Sequence, residues 1–355
     1  MKATFPHMGN NWVAFKGLLE TLGAQVIVPP RITKRTIDLG VKYSPEFVCF
    51  PFKVNIGNFI EALEAGADTL VMVGGTGGTC RFGFYNIVQK RILDDLGYKF
   101  DMIVFRDDNF WEILFKKFRK IGEDSSISKI IKAFRVLWWK AKVISEIEDL
   151  VRFNRAYEKR IGEADRVLEK ALMMLDEQKK VKEIKEVRSE IKNLFKHIPK
   201  DLKKKPLRIG IIGEVYVRSE PYVNLDIEKE LGKMGVLVDQ KMSVYKWLKV
   251  ILRIDLERAW TARRARPYLK VNAGAEDQQS IGHTIKYAKA GTDGVIMLYP
   301  FSCMPENIAR GILPNVSRRY KIPILTFSLD EQTGKTGMIT RLEAFVDLLN
   351  RKRRR

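Results

Sequence analysis

The segment DGVIMLYPFSCMPE, residues 293–306, carries the pattern that decides the fold. Its first half is an apolar run of strand length, and its second half is a loop with Cys303 between two prolines. An apolar run without polar alternation predicts a strand that is buried on both faces, as in a parallel sheet. The earlier segment DTLVMVGGTGGTC, residues 68–80, has the same order of strand, turn residues and cysteine. Both segments therefore predict α/β structure with ligand-binding loops after the strands.

The alternation of strands and helices continues outward from these two segments. Residues 12–23, WVAFKGLLETLG, are amphipathic at helical spacing, and residues 25–30, QVIVPP, have strand character. In the second half, LRIGIIGE at 207–214 is an apolar strand running into a glycine turn, and TRLEAFVDLLN at 340–350 predicts a closing helix. The βαβ rhythm predicts a parallel sheet flanked by helices in each half of the chain.

Between the two α/β patterns the chain changes to long helical patterns, such as VLWWKAKVISEIEDLVRF at 136–153. A polar, basic stretch that ends at Pro206 separates these helices from the second series of strands. We therefore predict an N-terminal α/β lobe at residues 1–108, a helical segment at 109–205 and a C-terminal α/β lobe at 206–355.

The bulk composition limits the environment of the protein. No run approaches the roughly 20 apolar residues of a membrane span, and the N-terminus lacks the basic and then apolar order of a signal peptide. Three cysteines in 355 residues argue against a disulfide framework and fit a reducing compartment. These features predict a cytoplasmic protein.

The charge balance indicates an acidic partner. The chain has 64 Lys and Arg against 43 Asp and Glu, a formal net charge of +21. A basic run RKRRR ends the chain and DLKKKP lies at 201–206, but no zinc finger, helix-turn-helix or RNA-recognition motif accompanies them. A basic surface that is solvated or matched to an acidic redox partner is the favoured interpretation, and a nucleic-acid-binding protein is the alternative.

The settings of the three cysteines are compatible with a metal centre. Cys49 lies in SPEFVCFPFK, Cys80 follows a run with glycines at 74, 75, 77 and 78, and Cys303 lies in PFSCMPE. Glycines let backbone N–H groups approach an anion, and the prolines stiffen the other two loops. Three thiolates can hold an iron–sulfur cluster and leave one iron open. Three unrelated cysteines, or a zinc site completed by His7 or His283, are the alternatives.

Charged residues beside these loops are candidates for chemistry. Arg81 can bind a cluster sulfide or an anionic substrate, or form a surface salt bridge. Glu306 can move protons or order its loop, and Glu214 follows a strand end where α/β sheets position site residues. Lys53 lies four residues after Cys49, although a solvated lysine is the more common outcome.

Three further polar residues have an ordinary structural explanation. Tyr216 and Asn224 follow the same strand as Glu214, where packing of the loop is an equal alternative. His283 lies at an expected helix start, which favours a cap or a core hydrogen bond.

Nucleotide-binding motifs are incomplete in this sequence. The string QTGKT has Leu329 where the P-loop pattern requires a glycine, and neither IIGE nor VGGTGG completes the Rossmann pattern GxGxxG. We therefore expect any ATP chemistry to belong to a partner.

Several segments resemble one known family over nearly the whole chain. They are SPEFVCFPFKVNIGNFIEAL, GGTGGTCRFGFYN, RIGIIGEVYVRSEPYVNLDIEKEL, SIGHTIKYAKAGTDGVIMLYPFSCMPE and LDEQTGKTGMITRLEAFVDLL. They are similar to the 2-hydroxyacyl-CoA dehydratase D-component family, and more narrowly to its branch of CoA-enzyme activase-associated or predicted nucleotide-binding proteins. The motif PFSCMPE is the most specific part of this resemblance.

The resemblance implies a fold and a function. It implies two flavodoxin-like or Rossmann-like lobes and a [4Fe-4S] cluster bound by Cys49, Cys80 and Cys303. It further implies an anaerobic system in which a homodimeric ATPase activator with its own iron–sulfur cluster delivers single electrons. The reaction would be that of a dehydratase-type lyase or an ATP-dependent reductase.

The same resemblance leaves several points open. A related second subunit or self-association is expected, because true dehydratases pair two related subunits. Arg81, Glu306 and Glu214 are the catalytic candidates. A non-catalytic electron-transfer or accessory subunit is the alternative function.

Overall fold

The computed structural model of the chain describes residues 1–74, 80–105, 118–121, 126–240, 242–252 and 254–354. Within these ranges the protein is α/β and contains two separate four-stranded sheets. Most of the glycine run before Cys80, and most of the helical pattern at 110–121, lie outside the described residues.

Each sheet consists of parallel strands in the same relative order. The first has the order β2-β1-β3-β4 and the second β6-β5-β7-β8. The strands are β1 Lys2–Thr4, β2 Gln25–Val26, β3 Thr69–Val73, β4 Asp101–Phe105, β5 Arg208–Gly213, β6 Leu237–Gln240, β7 Gly294–Pro300 and β8 Ile324–Leu329. This order is that of the flavodoxin-like fold, whose ligands bind beyond the carboxyl ends of the strands. The prediction of an α/β protein with two flavodoxin-like lobes is confirmed.

Helices connect the strands of each sheet. Further helices form most of the described chain between β4 and β5. In the first half they are α1 Trp12–Leu22, α2 Lys34–Tyr43, α3 Phe50–Glu64, a 3-10 turn Arg81–Phe84, α4 Tyr85–Asp95 and α5 Phe118–Ile121. The middle contains α6 Ile127–Tyr157, α7 Glu163–Asp176 and α8 Val181–Lys196. The second half contains α9 Val215–Ser219, α10 Ile227–Lys233, α11 Val244–Ile251, α12 Leu256–Ala265, α13 Asp277–Lys289, α14 Met304–Tyr320 and α15 Lys335–Arg354.

The chain divides into two compact units that share the middle helices. One unit contains Met1–Ile144 and Leu172–Arg188, and the other contains Ser145–Ala171 and Ser189–Arg355. The division falls within α6, so this helix contributes to both units. The boundaries predicted from composition, at residues 108 and 205, stay a prediction.

Close packing in each unit depends on glycines. A Cβ atom at Gly57 of α3 would overlap the carbonyl oxygen of Thr36 in α2, and one at Gly40 of α2 would overlap that of Lys53. The two helices therefore cross with their backbones in contact, and the residues between them, 44–49, form a short connection that ends at Cys49. In the second unit, Gly213 at the end of β5 has φ 118° and lies against the carbonyl oxygen of Leu298 in β7.

Two local predictions are wrong. His283 is not at a helix start, because α13 begins at Asp277 and places His283 in its middle, in a buried position. The closing helix predicted at residues 340–350 is longer at both ends, because α15 begins at Lys335 and continues through the basic residues to Arg354. None of the described helices is both long and apolar enough to cross a membrane.

Candidate functional site

Cys49 and Cys303 precede long helices. Cys49 is the N-cap residue of α3, and Cys303 is the N-cap residue of α14; both have extended backbone and are followed by a proline in the first helical turn. Proline is favoured there because the first backbone N–H groups of a helix have no partner within the helix. The partial positive charge of a helix N-terminus favours a thiolate in this position. Local sequence therefore places both sulfurs where a metal ligand would be stabilised.

Cys80 has a related setting in the first unit. It follows β3 through the glycine run and caps the 3-10 turn that leads into α4. All three cysteines lie in the described part of the chain and none forms a disulfide. Cys49 and Cys80 are half-buried in the first unit, and Cys303 is buried in the second.

Two contacts join the segments of Cys49 and Cys80. The Nη1 atom of Arg81 donates a hydrogen bond to the carbonyl oxygen of Phe47 at 2.7 Å. The hydroxyl group of Tyr85 contacts the Sγ atom of Cys49. The structure thus brings two of the three predicted ligands into neighbouring segments, and it gives Arg81 a role in joining them.

The structure places Lys53 differently from the solvated position expected from sequence. It lies one helical turn after Cys49 on α3, and only 7% of its surface is exposed, so it is not a solvated lysine. The reason is that nearly every residue of α3 is buried, including its polar ones. The helix lies inside the first unit rather than on its surface.

Buried and half-buried polar side chains lie at the carboxyl edge of the second sheet. Glu214 follows β5, and its backbone N–H donates to the carbonyl oxygen of Leu298 in β7 at 3.0 Å. Its Oε2 atom accepts a hydrogen bond from the backbone N–H of Val217 at 3.0 Å and caps α9. Burial raises the pKa of this carboxyl group, and the backbone hydrogen bonds from Tyr216 and Val217 oppose the rise, as does the positive charge of Arg218.

Glu306 is a second carboxyl group at this edge whose pKa is raised. It lies in the first turn of α14, three residues after Cys303, and is fully buried. Its Oε2 atom accepts a hydrogen bond from the hydroxyl of Ser280 at 2.8 Å, and its Oε1 atom has no partner within the described ranges. Burial raises the pKa of Glu306 to about 8, against the opposing effects of Ser280 and Arg218. At neutral pH the carboxyl group of Glu306 is therefore protonated in most molecules.

Two further buried residues belong to the same polar region. Arg218 at the end of α9 is 5% exposed, and its Nε atom has no hydrogen-bond partner among the described residues. Burial lowers the pKa of His283, and the positive charge of Lys246 adds to this effect. The imidazole is therefore neutral at neutral pH. Sequence reasoning missed Arg218, because nothing in YVRSE distinguishes a buried arginine from a surface one.

Tyr216 and Asn224 lie in the segment that follows β5. Tyr216 is buried, and its pKa is raised well above the usual value by burial and by Glu220 and Glu214. The side-chain amide of Asn224 donates to the carbonyl oxygen of Val217 at 2.8 Å and accepts from the backbone of Ile227 at 3.2 Å. Packing of this loop, the alternative raised from sequence, accounts for Asn224.

The zinc site considered from sequence would use His7 or His283 as a further ligand. The buried His7 lies in the loop after β1, where its backbone N–H donates to the side-chain oxygen of Asn58 at 2.8 Å. Within the described ranges, no three or more His, Cys, Asp or Glu side chains are gathered as a group that could hold a metal ion. The neighbouring segments of Cys49 and Cys80, and the N-cap positions of Cys49 and Cys303, are compatible with thiolate ligation of iron.

Fold and site together define a class of protein: a two-lobed, flavodoxin-like α/β protein with cysteines in the turns that precede helices. Comparison with protein families narrows this class. The family described as 2-hydroxyglutaryl-CoA dehydratase, D-component, matches residues 12–349. The chain belongs to this family of dehydratase components. A search of curated proteins gave no match.

Proposed function

We propose that this protein binds a [4Fe-4S] cluster through Cys49, Cys80 and Cys303 and receives single electrons from a homodimeric, ATP-hydrolysing activator with its own iron–sulfur cluster. The observation that carries the proposal is membership of the dehydratase D-component family over residues 12–349. The setting of the cysteines supports it, because each one directly precedes a helix or a helical turn. With three protein ligands, one iron would stay open to water, a substrate oxygen or an external thiol.

The cluster would supply a low-potential electron to a reductive radical reaction, such as dehydration of a 2-hydroxyacyl thioester. Side chains of the protein would supply protons to the reaction and position the groups around the cluster. Glu306 is the best candidate for a proton-carrying group, because it is buried, close to Cys303 in sequence and mostly protonated at neutral pH. A carboxylic acid held neutral in this way can donate a proton to a developing oxyanion.

Arg81 and Glu214 have supporting roles in this proposal. Arg81 would hold the Cys49 segment in place through its bond to Phe47. Glu214 would order the loop after β5, since its carboxylate caps α9. A related subunit, or a second copy of the chain, would complete the enzyme as the family implies.

The test is metal and sulfide analysis of protein purified without oxygen, with electron paramagnetic resonance after reduction. The variants are Cys49→Ala, Cys80→Ala and Cys303→Ala, and Ser302→Ala is the control because it changes the same loop as Cys303 without removing a thiol. We expect about four irons and four sulfides per chain in the wild type and in the control. Each cysteine variant should lose most of the iron.

Other results would contradict the proposal. Zinc in place of iron would support the zinc site considered from sequence. Iron that is insensitive to the three cysteines would exclude them as ligands. If the cluster forms but a homodimeric ATPase activator that serves this family fails to reduce it in the presence of MgATP, the electron-transfer part of the proposal is wrong.

A second experiment separates the enzyme from the accessory subunit. Glu306→Gln should retain the cluster but slow turnover of a 2-hydroxyacyl thioester if Glu306 supplies a proton. An unchanged rate in Glu306→Gln would exclude Glu306 as the proton donor. No turnover by the wild type with activator present would favour the electron-transfer alternative.

A further inference from the structure

Tyr85 contacts the sulfur atom of a predicted cluster ligand. It is the first residue of α4, five positions after Cys80, and only 5% of it is exposed. Its hydroxyl group contacts the sulfur of Cys49, which comes from the connection between α2 and α3. The residue therefore links the segments of two different cysteines.

The ring of Tyr85 is held from two sides. Phe52 of α3 packs edge-on against it with centroids 5.0 Å apart and an interplanar angle of 87°. Phe82 packs against it at 5.2 Å and 65°. Edge-to-face packing of this kind restricts rotation of the ring and fixes the direction of the hydroxyl group.

A second contact keeps the same two segments together. The guanidinium group of Arg81 donates to the backbone of Phe47, two residues before Cys49. The crossing of α2 and α3 at Gly40 and Gly57 fixes the other end of the Cys49 segment. The contact between Tyr85 and Cys49 is thus built into the packing of the first unit.

We propose that Tyr85 is a positioning residue for the Cys49 ligand, and that its hydroxyl group donates a hydrogen bond to the ligating sulfur and raises the reduction potential of the cluster. This inference rests on the proposed function. A hydrogen bond to a ligating sulfur withdraws electron density from it and stabilises the reduced state, which carries one more negative charge. The electron comes from the activator or from a chemical reductant, and the proton stays on the tyrosine oxygen in both states.

The test is a redox titration of Tyr85→Phe in the full chain, purified without oxygen and followed by electron paramagnetic resonance with dithionite as reductant. Phenylalanine keeps the ring and removes only the hydroxyl group. Tyr98→Phe is the matched control, because Tyr98 packs against the same core cluster of the first unit. We expect wild-type iron content in both variants, a more negative midpoint potential in Tyr85→Phe and an unchanged potential in Tyr98→Phe.

The outcomes separate this inference from the proposed function. If the wild type lacks iron, the proposed function fails and Tyr85 has no ligand to position. If iron is bound and the potential of Tyr85→Phe equals that of the wild type, the inference is overturned while the function stands.

A second replacement covers the case in which Tyr85→Phe loses iron. Incorporation of 2,3-difluorotyrosine at position 85 keeps the ring and the hydroxyl group but makes the hydroxyl a stronger hydrogen-bond donor. The potential should then shift in the positive direction. An unchanged or more negative potential would overturn the inference.

Discussion

The two sheets of this protein have the same relative strand order, yet their carboxyl edges carry different chemistry. At the first edge, the hydroxyl group of Tyr85 contacts Cys49, Arg81 binds the backbone of the Cys49 segment, and the buried Lys53 lies one helical turn after Cys49. At the second edge, the buried Glu306 lies three residues after Cys303, and the buried Arg218 is close enough to affect its pKa. The order of the strands decides where a site lies, and the residues in the loops decide what it can do.

The difference extends to how each unit responds to pH. In the first unit, burial lowers the pKa of Lys140 to about 8, so folding places a cation in an unfavourable environment. In the second unit, burial raises the pKa of Glu306 to about 8. The two groups therefore affect stability over different pH ranges and with opposite slopes.

The largest effects are expected from the glycines that permit close backbone packing. Gly57→Ala should destabilise the first unit, and Gly213→Ala the second, each by more than about 4 kcal/mol, because the new methyl group would overlap a carbonyl oxygen. Hydrogen exchange measured by mass spectrometry should show which unit loses protection. Gly311→Ala in α14 is the control, because nothing lies within 4 Å of its added methyl group, and it should be neutral or stabilising by about 0.5 to 1 kcal/mol. Equal loss of protection in both units would show that they do not unfold separately.

Glu306→Gln should flatten the pH dependence of the second unit. Because the folded pKa is raised from 4.5 to about 8, the contribution of Glu306 to stability is complete below about pH 4.5 and is lost as the pH rises towards 8. The full shift corresponds to about 5 kcal/mol, and relaxation around the charge should reduce this to about 2 to 4 kcal/mol. Urea unfolding at pH 5 and pH 8 measures it. Glu343→Gln, on the exposed face of α15, should keep the wild-type slope, and a wild-type slope in Glu306→Gln as well would contradict the assignment.

Lys140→Met should stabilise the first unit by about 1 to 2 kcal/mol at pH 7. The folded pKa of Lys140 lies below the unfolded value of 10.5, so its unfavourable effect is complete below about pH 8 and disappears as the pH rises towards 10.5. Methionine fills a similar volume but removes the hydrogen bond from Nζ to the carbonyl oxygen of Asp176, which offsets part of the gain. The measurement is urea unfolding at pH 7 and pH 10. The exposed Lys132→Met is the control, and an equal gain there would show that burial of Lys140 is not the cause.

The smallest effects are expected from the two helix caps that flank the sites. Thr33→Ala removes the capping box of α2 in the first unit, and Ser243→Ala removes the cap of α11 in the second. Each should cost about 1 kcal/mol, with local loss of hydrogen-exchange protection in its own helix. Thr340→Ala, at an exposed position inside α15, should cost less. A loss at α11 in Thr33→Ala would show that the two units are coupled.

Much of the fold followed from short patterns in the sequence. The buried runs around Met72 and Met297 predicted the strands β3 and β7, and the turn residues after them predicted the loops that end at Cys80 and Cys303. The helix that contains His283 was predicted with the wrong start, because burial of α13 on several sides hides the periodicity that marks a boundary. Lys53 was expected in solvent for a similar reason, since nothing local indicates that α3 is buried along its length.

Local sequence patterns are sufficient to predict the α/β class, the positions of the strands and the three cysteines that precede helices, because these depend on residues close together in the chain. Only folding brings Tyr85 to Cys49, Arg81 to the backbone of Phe47 and Ser280 to Glu306. Those pairs are separated by 36, 34 and 26 positions. Their proximity depends on how helices pack on the sheets, and burial after packing is what moves the pKa of a carboxyl group such as Glu306.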